Sequence, residues 1–382
     1  MFEALQEELD DLKQQGLYRS WRRVEAVDGA KIRIDGRWLI HMSSNSYLGL
    51  HQHPEVVAQA QEALARYGSG AGSARLLGGT SDLHEELEAE LASFKQTEGS
   101  IVFPTGYMAN LGIVTSLVGP RDLVLCDRLN HASLIDACRL SGATFRVYPH
   151  KDAQRLQEIL QRRRAAFRRV LVITEGLFSM DGDIAPLAQI AQLTRRHEAW
   201  LLIDDAHATG VLGENGRGSL EHFRIPADGI LQMGTLSKAL GSLGGFLAGP
   251  KVVIEWIKNR ARSFIFTMAL PPACTAGGLA ALRLIEKDTS LRRRLGENTG
   301  IWISGLTQAG YKLLSRESQI VPIAVGEIKE TLGLSEALFE AGVYAPAIRP
   351  PTVPAGSCRI RTSLTSLHTE EDLKTALTAF QR

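Results

Sequence analysis

The sequence predicts an α/β protein in which a large domain holds a mostly parallel seven-stranded sheet and a smaller α+β domain closes the C-terminal end. Short β-rich runs alternate with longer segments of helical periodicity through the middle of the chain. Several of those runs are apolar at nearly every position, the pattern of parallel strands covered by helices on both faces. At 382 residues the chain also exceeds what one core of ordinary size organises, so a second lobe is expected.

Residues 1–12 place Phe2, Leu5, Leu9 and Leu12 at helical spacing among acidic side chains, which predicts an amphipathic helix. It lacks the basic start and apolar centre of a signal peptide. Candidate strands follow at 101–104, 123–126, 144–148, 170–174, 200–204, 229–233 and 245–248, with helices such as 111–117 and 184–196 between them. From about residue 290 the pattern changes. Strands near 320–325 and 359–363 flank a Pro-rich loop at 349–354, and Thr369 opens a closing helix with Leu373, Ala376, Leu377 and Phe380 on one face. The expected division is an N-terminal segment, 1–50, packing on the small domain, a large domain, 51–290, and the small domain, 291–382. Ligands of such sheets bind beyond the carboxyl ends of the strands, so the residues just after each strand matter most.

Lys plus Arg number 43 and Asp plus Glu 42, so no overall field points to nucleic acid or a membrane surface. The basic run Arg162, Arg163, Arg164, Arg168 and Arg169 reads as the wet face of a helix. Cys126, Cys138, Cys274 and Cys358 are widely separated and form no zinc or disulfide pattern, which fits a reducing cytoplasm. No apolar run approaches membrane-spanning length. These features predict a soluble cytoplasmic protein with no metal site.

Four segments carry candidate chemistry. The glycine-rich stretch from Gly68 to Thr80 has Ser73 where a dinucleotide fingerprint needs its third glycine, and no strand precedes it, so a dehydrogenase reading is weak. In Phe103-Pro-Thr-Gly-Tyr-Met-Ala-Asn110 a strand ends and Gly106 opens a helix, whose free N–H groups suit a phosphate. In Trp200-Leu-Leu-Ile-Asp-Asp-Ala-His207 an apolar strand ends in Asp204, with His207 one turn later. Such groups cost stability unless partnered, and a metal site or helix caps are the alternatives to a ligand role. In Gly234-Thr-Leu-Ser-Lys-Ala-Leu-Gly241, Lys238 lies just past another apolar strand. A lone loop lysine is usually a solvated charge, but a partly desolvated one forms Schiff bases, and a strand-end Asp suits a pyridinium nitrogen.

Asp204-Asp-Ala-His207 with Thr235-Leu-Ser-Lys238 resembles the fold-type I pyridoxal-phosphate enzymes, and more narrowly the α-oxoamine synthases. The resemblance extends from about Leu17 to near the C-terminus. It includes Ser43-Ser-Asn-Ser-Tyr-Leu-Gly-Leu50, Gly72-Ser-Ala-Arg-Leu-Leu-Gly-Gly-Thr80, Asp127-Arg-Leu-Asn-His-Ala-Ser133 and Thr174-Glu-Gly-Leu-Phe-Ser-Met-Asp-Gly-Asp183. It implies that Lys238 carries pyridoxal phosphate as a Schiff base, Asp204 holds the ring nitrogen protonated, His207 binds the phenolic oxygen and His131 stacks on the ring. Gly106, Tyr107, Thr235 and Ser179 would seat the cofactor, and Thr267 would reach the phosphate of a second subunit in a homodimer with shared sites. Arg361, with Asn45, would pair with an amino-acid carboxylate, leaving Arg359 a structural part.

The loop Ala347-Ile-Arg-Pro-Pro-Thr-Val-Pro354 is similar to that of family members joining alanine to a pimeloyl thioester for biotin synthesis, with Arg19 and Thr352 as substrate contacts. A glycine C-acetyltransferase, serine palmitoyltransferase or aminolevulinate synthase reading competes within the family. A non-catalytic partner subunit on the same fold would be expected to lack Lys238.

Overall fold

The computed structural model describes residues 2–381; the helix and domain bounds expected at Met1 and Arg382 lie outside the described residues. The chain divides into two compact units. One holds the chain up to Tyr47, Met180–Asp183 and the chain from Arg293 onward; the other holds Leu48–Ser179 and Ile184–Arg292.

The first unit begins with a helix at Glu3–Gln14 that buries none of its residues, so the stripe of Phe2, Leu5, Leu9 and Leu12 faces solvent. Strands β1 (Val24–Asp28), β2 (Lys31–Ile34) and β3 (Arg37–His41) form an antiparallel meander.

The second unit is organised by β4 (Gly99–Phe103), β5 (Leu123–Asp127), β6 (Thr144–Tyr148), β7 (Val170–Glu175), β8 (Trp200–Asp204), β9 (Leu231–Thr235) and β10 (Gly245–Gly249). Their spatial order is β4-β10-β9-β8-β7-β5-β6, with parallel pairing from β6 to β9 and β10 antiparallel to both its neighbours. Both faces are packed. Val124 and Cys126 of β5, Leu171 and Ile173 of β7, and Leu202 of β8 meet one apolar cluster, with Ile113, Leu117 and Ile257 from helices. The alternate residues Leu123, Leu125, Val170, Val172, Leu201 and Ile203 meet another, with Leu156, Leu160, Leu187 and Ile190. Period-two alternation therefore runs between two buried faces, which is why the strands read as unbroken apolar runs.

Several elements begin elsewhere than their sequence pattern suggests: the strand expected at 101–104 is Gly99–Phe103, and the helix expected at 111–117 already begins at Gly106. The strand expected at 229–233 runs from Leu231 to Thr235, because Gly229, at φ 70°, sits in a turn closed by Ile230 N–H donating to the Ala227 carbonyl. Thr235 is thereby the last strand residue. The helix expected at 184–196 begins at Leu187, because Ile184 bridges Leu177 and Pro186 holds the N-cap position.

The remaining strands return to the first unit: β11 (Ile320–Gly326), β12 (Val343–Tyr344), β13 (Ala347–Ile348) and β14 (Cys358–Ser363). Strand β14 is antiparallel to β11 and β13, while β12 pairs in parallel with β3 through Ile40 and Val343. That pairing stitches the N-terminal meander to the C-terminal part of the same unit. A helix at Glu370–Phe380 closes the chain behind a capping box of Thr369 and Asp372. Among the described residues no helix is long and apolar enough to cross a membrane.

One close approach fixes the mouth of the large sheet. A Cβ on Gly245 of β10 would lie 2.6 Å from Gly106 Cα and 2.8 Å from Gly106 N, at the start of the helix Gly106–Leu117. The contact is backbone on backbone, so no side chain can yield. Gly245→Ala is expected to lower stability by about 1–3 kcal/mol, the usual cost of overpacking, measured as a fall in the urea midpoint. An unchanged midpoint would show that the helix start gives way freely.

Candidate active site

The carboxyl ends of three adjacent strands supply one side of a cleft with about 420 Å³ of empty space: Glu175 ends β7, Asp204 ends β8 and Thr235 ends β9. Gly106, Tyr107, His131, His207 and Lys238 line the same cleft, together with Asn110 and Ser133. The elements that hold these side chains follow from local rules.

Thr105 caps the helix Gly106–Leu117, its side chain accepting from Met108 N–H and its carbonyl from Ala109 N–H. The N–H groups of Gly106 and Tyr107 have no acceptor among the described residues, so this helix start offers two free donors to an anion. The Tyr107 hydroxyl donates to Asp136, which raises the phenol pKa.

Asn110 lies one turn further along and spends both amide protons in the cleft. Nδ2 donates to Asp204 Oδ2 at 2.8 Å and to Ser133 Oγ at 2.9 Å. Asp204 is buried, and its Oδ1 accepts Ala206 N–H at 3.0 Å. His131 caps the helix Ala132–Leu140, with Nδ1 accepting Ser133 N–H at 3.3 Å and lying 2.8 Å from Ser133 Oγ. Because Ser133 Oγ accepts from Asn110, its own proton is free to turn to His131 Nδ1. The imidazole proton is then left on Nε2. Burial pushes the His131 pKa down, with Lys238 adding to the fall and Asp204 opposing it, so the neutral ring is favoured.

Lys238 sits in a loop folded back on itself. Thr235 Oγ1 donates to the Gly244 carbonyl at 2.6 Å and accepts Ser237 N–H at 3.1 Å. Leu236 N–H also donates to the Gly244 carbonyl, and Gly241 N–H to that of Lys238. Gly241 has φ 65°, and a Cβ there would lie 2.3 Å from His51 N, so only glycine closes this loop. Behind Asp204, the fully buried Asp205 pairs with Lys95 Nζ at 3.2 Å and accepts Ser219 N–H at 2.9 Å. Burial pushes the Lys95 pKa down while Asp205 opposes it. This pair anchors both ends of the stretch from Asp205 to Ser219, which includes His207.

Ser179 and Thr267 are not among the cleft-lining side chains. Ser179 reaches the cleft through its backbone N–H, which donates to Glu175 Oε2 at 3.2 Å. The Thr267 hydroxyl donates to Met108 Sδ at 4.0 Å. Asn110, Ser133 and Glu175 had no role in the sequence reading. The strand-end rule that selected Asp204 applies equally to Glu175.

The other unit holds the remaining candidates. Arg361, on β14, is buried and donates to Asn45 Oδ1 at 3.2 Å, which also accepts from the Tyr47 hydroxyl. Arg359, on the same strand, is committed to Asp181 at 2.7 Å and to the carbonyls of Met180 and Ser357. Arg19 donates to Thr352 Oγ1 at 3.3 Å and to the Pro350 carbonyl at 3.4 Å.

An α/β sheet whose strand ends gather a lysine, an aspartate, two histidines and free helix-start donors defines an enzyme site built around an anionic ligand. The chain belongs to the aminotransferase class I and II family, whose model matches residues 38–380. An 8-amino-7-oxononanoate synthase from Geobacter sulfurreducens is 48% identical over 384 residues, covering 100% of this chain and 98% of that protein. Among solved structures, a serine palmitoyltransferase (SPT) with PLP internal aldimine is 34% identical with a TM-score of 0.92, covering 100% of this chain and 96% of that one. An 8-amino-7-oxononanoate synthase from Francisella tularensis is 29% identical with a TM-score of 0.78, covering 90% of this chain and 97% of that one.

Asn110→Ala removes one of two donors from a buried carboxylate and the donor that orients Ser133. The expected cost is about 1–3 kcal/mol, that of stranding a buried acceptor, read from chemical unfolding with unchanged slope. Wild-type stability in that variant would mean that Asp204 finds another donor.

Proposed function

We propose that this chain is a pyridoxal-phosphate enzyme that joins L-alanine to a pimeloyl thioester with loss of carbon dioxide, releasing 8-amino-7-oxononanoate. The observation that carries the reading is a single cleft in which Lys238, Asp204 and His207 meet the free N–H groups of Gly106 and Tyr107. Full-length identity of 48% to an 8-amino-7-oxononanoate synthase supports the choice of substrates.

The residues fit the cofactor. Its phosphate suits the two free N–H donors at the helix start, with the Thr235 hydroxyl beside them. Its ring nitrogen suits Asp204, a buried carboxylate held by Asn110 and Ala206. His207 would face the phenolic oxygen, His131 the ring, and Ser179 and Thr267 would assist, the latter toward a second subunit. When bound, pyridoxal phosphate supplies a carbonyl for Schiff-base linkage and a ring that takes up the electron pair left at an α-carbon.

The chain's own groups do the rest. Lys238 would hold the cofactor, and its Nζ, when not so engaged, would remove the α-proton of alanine and return a proton to the product. Asp204 would face the ring nitrogen and hold a proton there. His131, neutral with its proton on Nε2, can donate a hydrogen bond to the acyl carbonyl as it is attacked. Arg361 and Asn45 bind the alanine carboxylate, which orients the α-carbon before the proton moves. Arg19 and Thr352 contact the acyl substrate. The enzyme acts as a homodimer in the cytoplasm, a reading supported by family kinship.

The serine palmitoyltransferase fold overlays with the higher TM-score, 0.92 against 0.78, and offers a second reading. Backbone overlay does not report the side chains that select an acyl group, so the higher sequence identity favours the synthase. A panel of alanine, glycine and serine against pimeloyl, acetyl, succinyl and palmitoyl thioesters decides between them, with products identified by mass. Alanine with the pimeloyl thioester should give the highest kcat/KM; glycine with acetyl or serine with palmitoyl leading would overturn the assignment. Lys238→Ala should fold normally and lose at least about 1,000-fold in kcat, since it removes both the tether and the proton-transfer base. Near-normal turnover would rule Lys238 out.

A further inference from the structure

Glu175 occupies on β7 the position that Asp204 occupies on β8, and its carboxyl lines the same cleft as Lys238. It is 2% exposed. Its backbone is fixed, since Glu175 N–H donates to Asn130 Oδ1 at 3.1 Å. Its two carboxyl oxygens are unequal: Oε2 accepts the Ser179 N–H at 3.2 Å, whereas Oε1 is buried with no hydrogen-bond partner.

A carboxylate can only accept hydrogen bonds, and a buried one with an empty oxygen forfeits its hydration without replacement. Asp204, by contrast, receives a donor on each oxygen. Two carboxyls therefore share one cleft with unequal support, an arrangement that drives their proton affinities apart. The groups facing Glu175 are Asp204 from β8, Lys238 from the loop after β9 and the peptide N–H groups of His131 and Ser179; His131, His207 and Tyr107 line the cleft around them. Burial raises the Glu175 pKa well above the ordinary carboxyl value and Asp204 raises it further, while Lys238 and the two peptide groups oppose them.

We propose that Glu175 works as a neutral carboxylic acid whose Oε1–H donates a hydrogen bond to a carbonyl or carboxylate oxygen of the substrates bound beside Lys238. The proposal rests on this cleft being the condensation site and adds a recognition group to it. An ionised Glu175 would repel those oxygens, because it has no proton to offer. A neutral one attracts them.

The first test needs no substrate. A group whose folded pKa is raised contributes stability that is fully present below its ordinary value, 4.5, and is lost as the pH climbs from there to the folded value. Glu175→Gln lacks that titration. Thermal unfolding of the cofactor-free protein should therefore show Glu175→Gln gaining on wild type as the pH rises above the ordinary carboxyl value. Infrared difference spectra of the pair at neutral pH should show the carbonyl stretch of a protonated carboxyl in wild type alone. A constant melting difference together with no such band would overturn the proposal.

The second test is kinetic. Glu175→Gln keeps a donor and should lose several-fold in kcat/KM, while Glu175→Leu, with none, should lose roughly a further 10- to 100-fold, the worth of a hydrogen bond to a charged group. Glu175→Gln falling as far as Glu175→Leu would indicate a carboxylate base and contradict the assignment. If Glu175→Leu does not fold, the melting and infrared comparison with Glu175→Gln still decides. Should the alanine and pimeloyl substrates prove wrong while the melting and infrared results hold, the substrate assignment falls and the protonation state stands.

Discussion

Giving one buried carboxylate a hydrogen-bond donor on each oxygen is the constraint around which the large unit is arranged. Asp204 is 4% exposed, and a buried carboxyl without hydrogen-bond partners is costly. Asn110 Nδ2 and Ala206 N–H supply one donor to each of its oxygens. Asn110 can reach it only because the helix Gly106–Leu117 starts tight against β10, where Gly245 admits the backbone of Gly106. The close approach that places this amide also leaves the N–H groups of Gly106 and Tyr107 facing the cleft. One packing contact thus sets both the acid end and the anion end of the site.

The same amide couples Asp204 to His131. With one proton given to Asp204 and the other to Ser133, Asn110 settles which nitrogen of His131 carries its hydrogen. Lys238 is placed by different means: a loop closed by hydrogen bonds onto Gly244 and made possible by the left-handed Gly241. A lysine on a short, internally bonded loop loses little further freedom when it is linked to a ligand. The buried Lys95–Asp205 pair holds the segment bearing His207. Each of these supports restricts a group that lines the cleft.

Much of this was legible in the sequence because both faces of the sheet are buried. The alternation of Val124 and Cys126 with Leu123 and Leu125 leaves continuous apolar runs that mark the strands and, through their ends, Asp204 and Lys238. What periodicity could not locate were boundaries set by single turns. Gly229 moved β9 along by two residues and Pro186 delayed the following helix of its region, both through backbone geometry outside the apolar pattern. Nor does spacing reveal partnership. Asn110, a polar residue in an apolar helix, could have been a cap or a surface group; only the meeting of that helix with β8 and Ser133 makes it a donor. Glu175 was within reach of the strand-end rule, but its unequal oxygens appear only in three dimensions. Arg19, Asn45, Thr352 and Arg361 came from family resemblance, and the structure adds that they hold one another in pairs.

The proposed chemistry requires Lys238 to be the residue that carries pyridoxal phosphate. Incubating the protein with the cofactor, reducing with borohydride and mapping the added mass by peptide sequencing tests this directly. One phosphopyridoxyl group per chain, on the peptide that contains Lys238, is the predicted result. Stoichiometric labelling of any other lysine, with Lys238 unmodified, would contradict it.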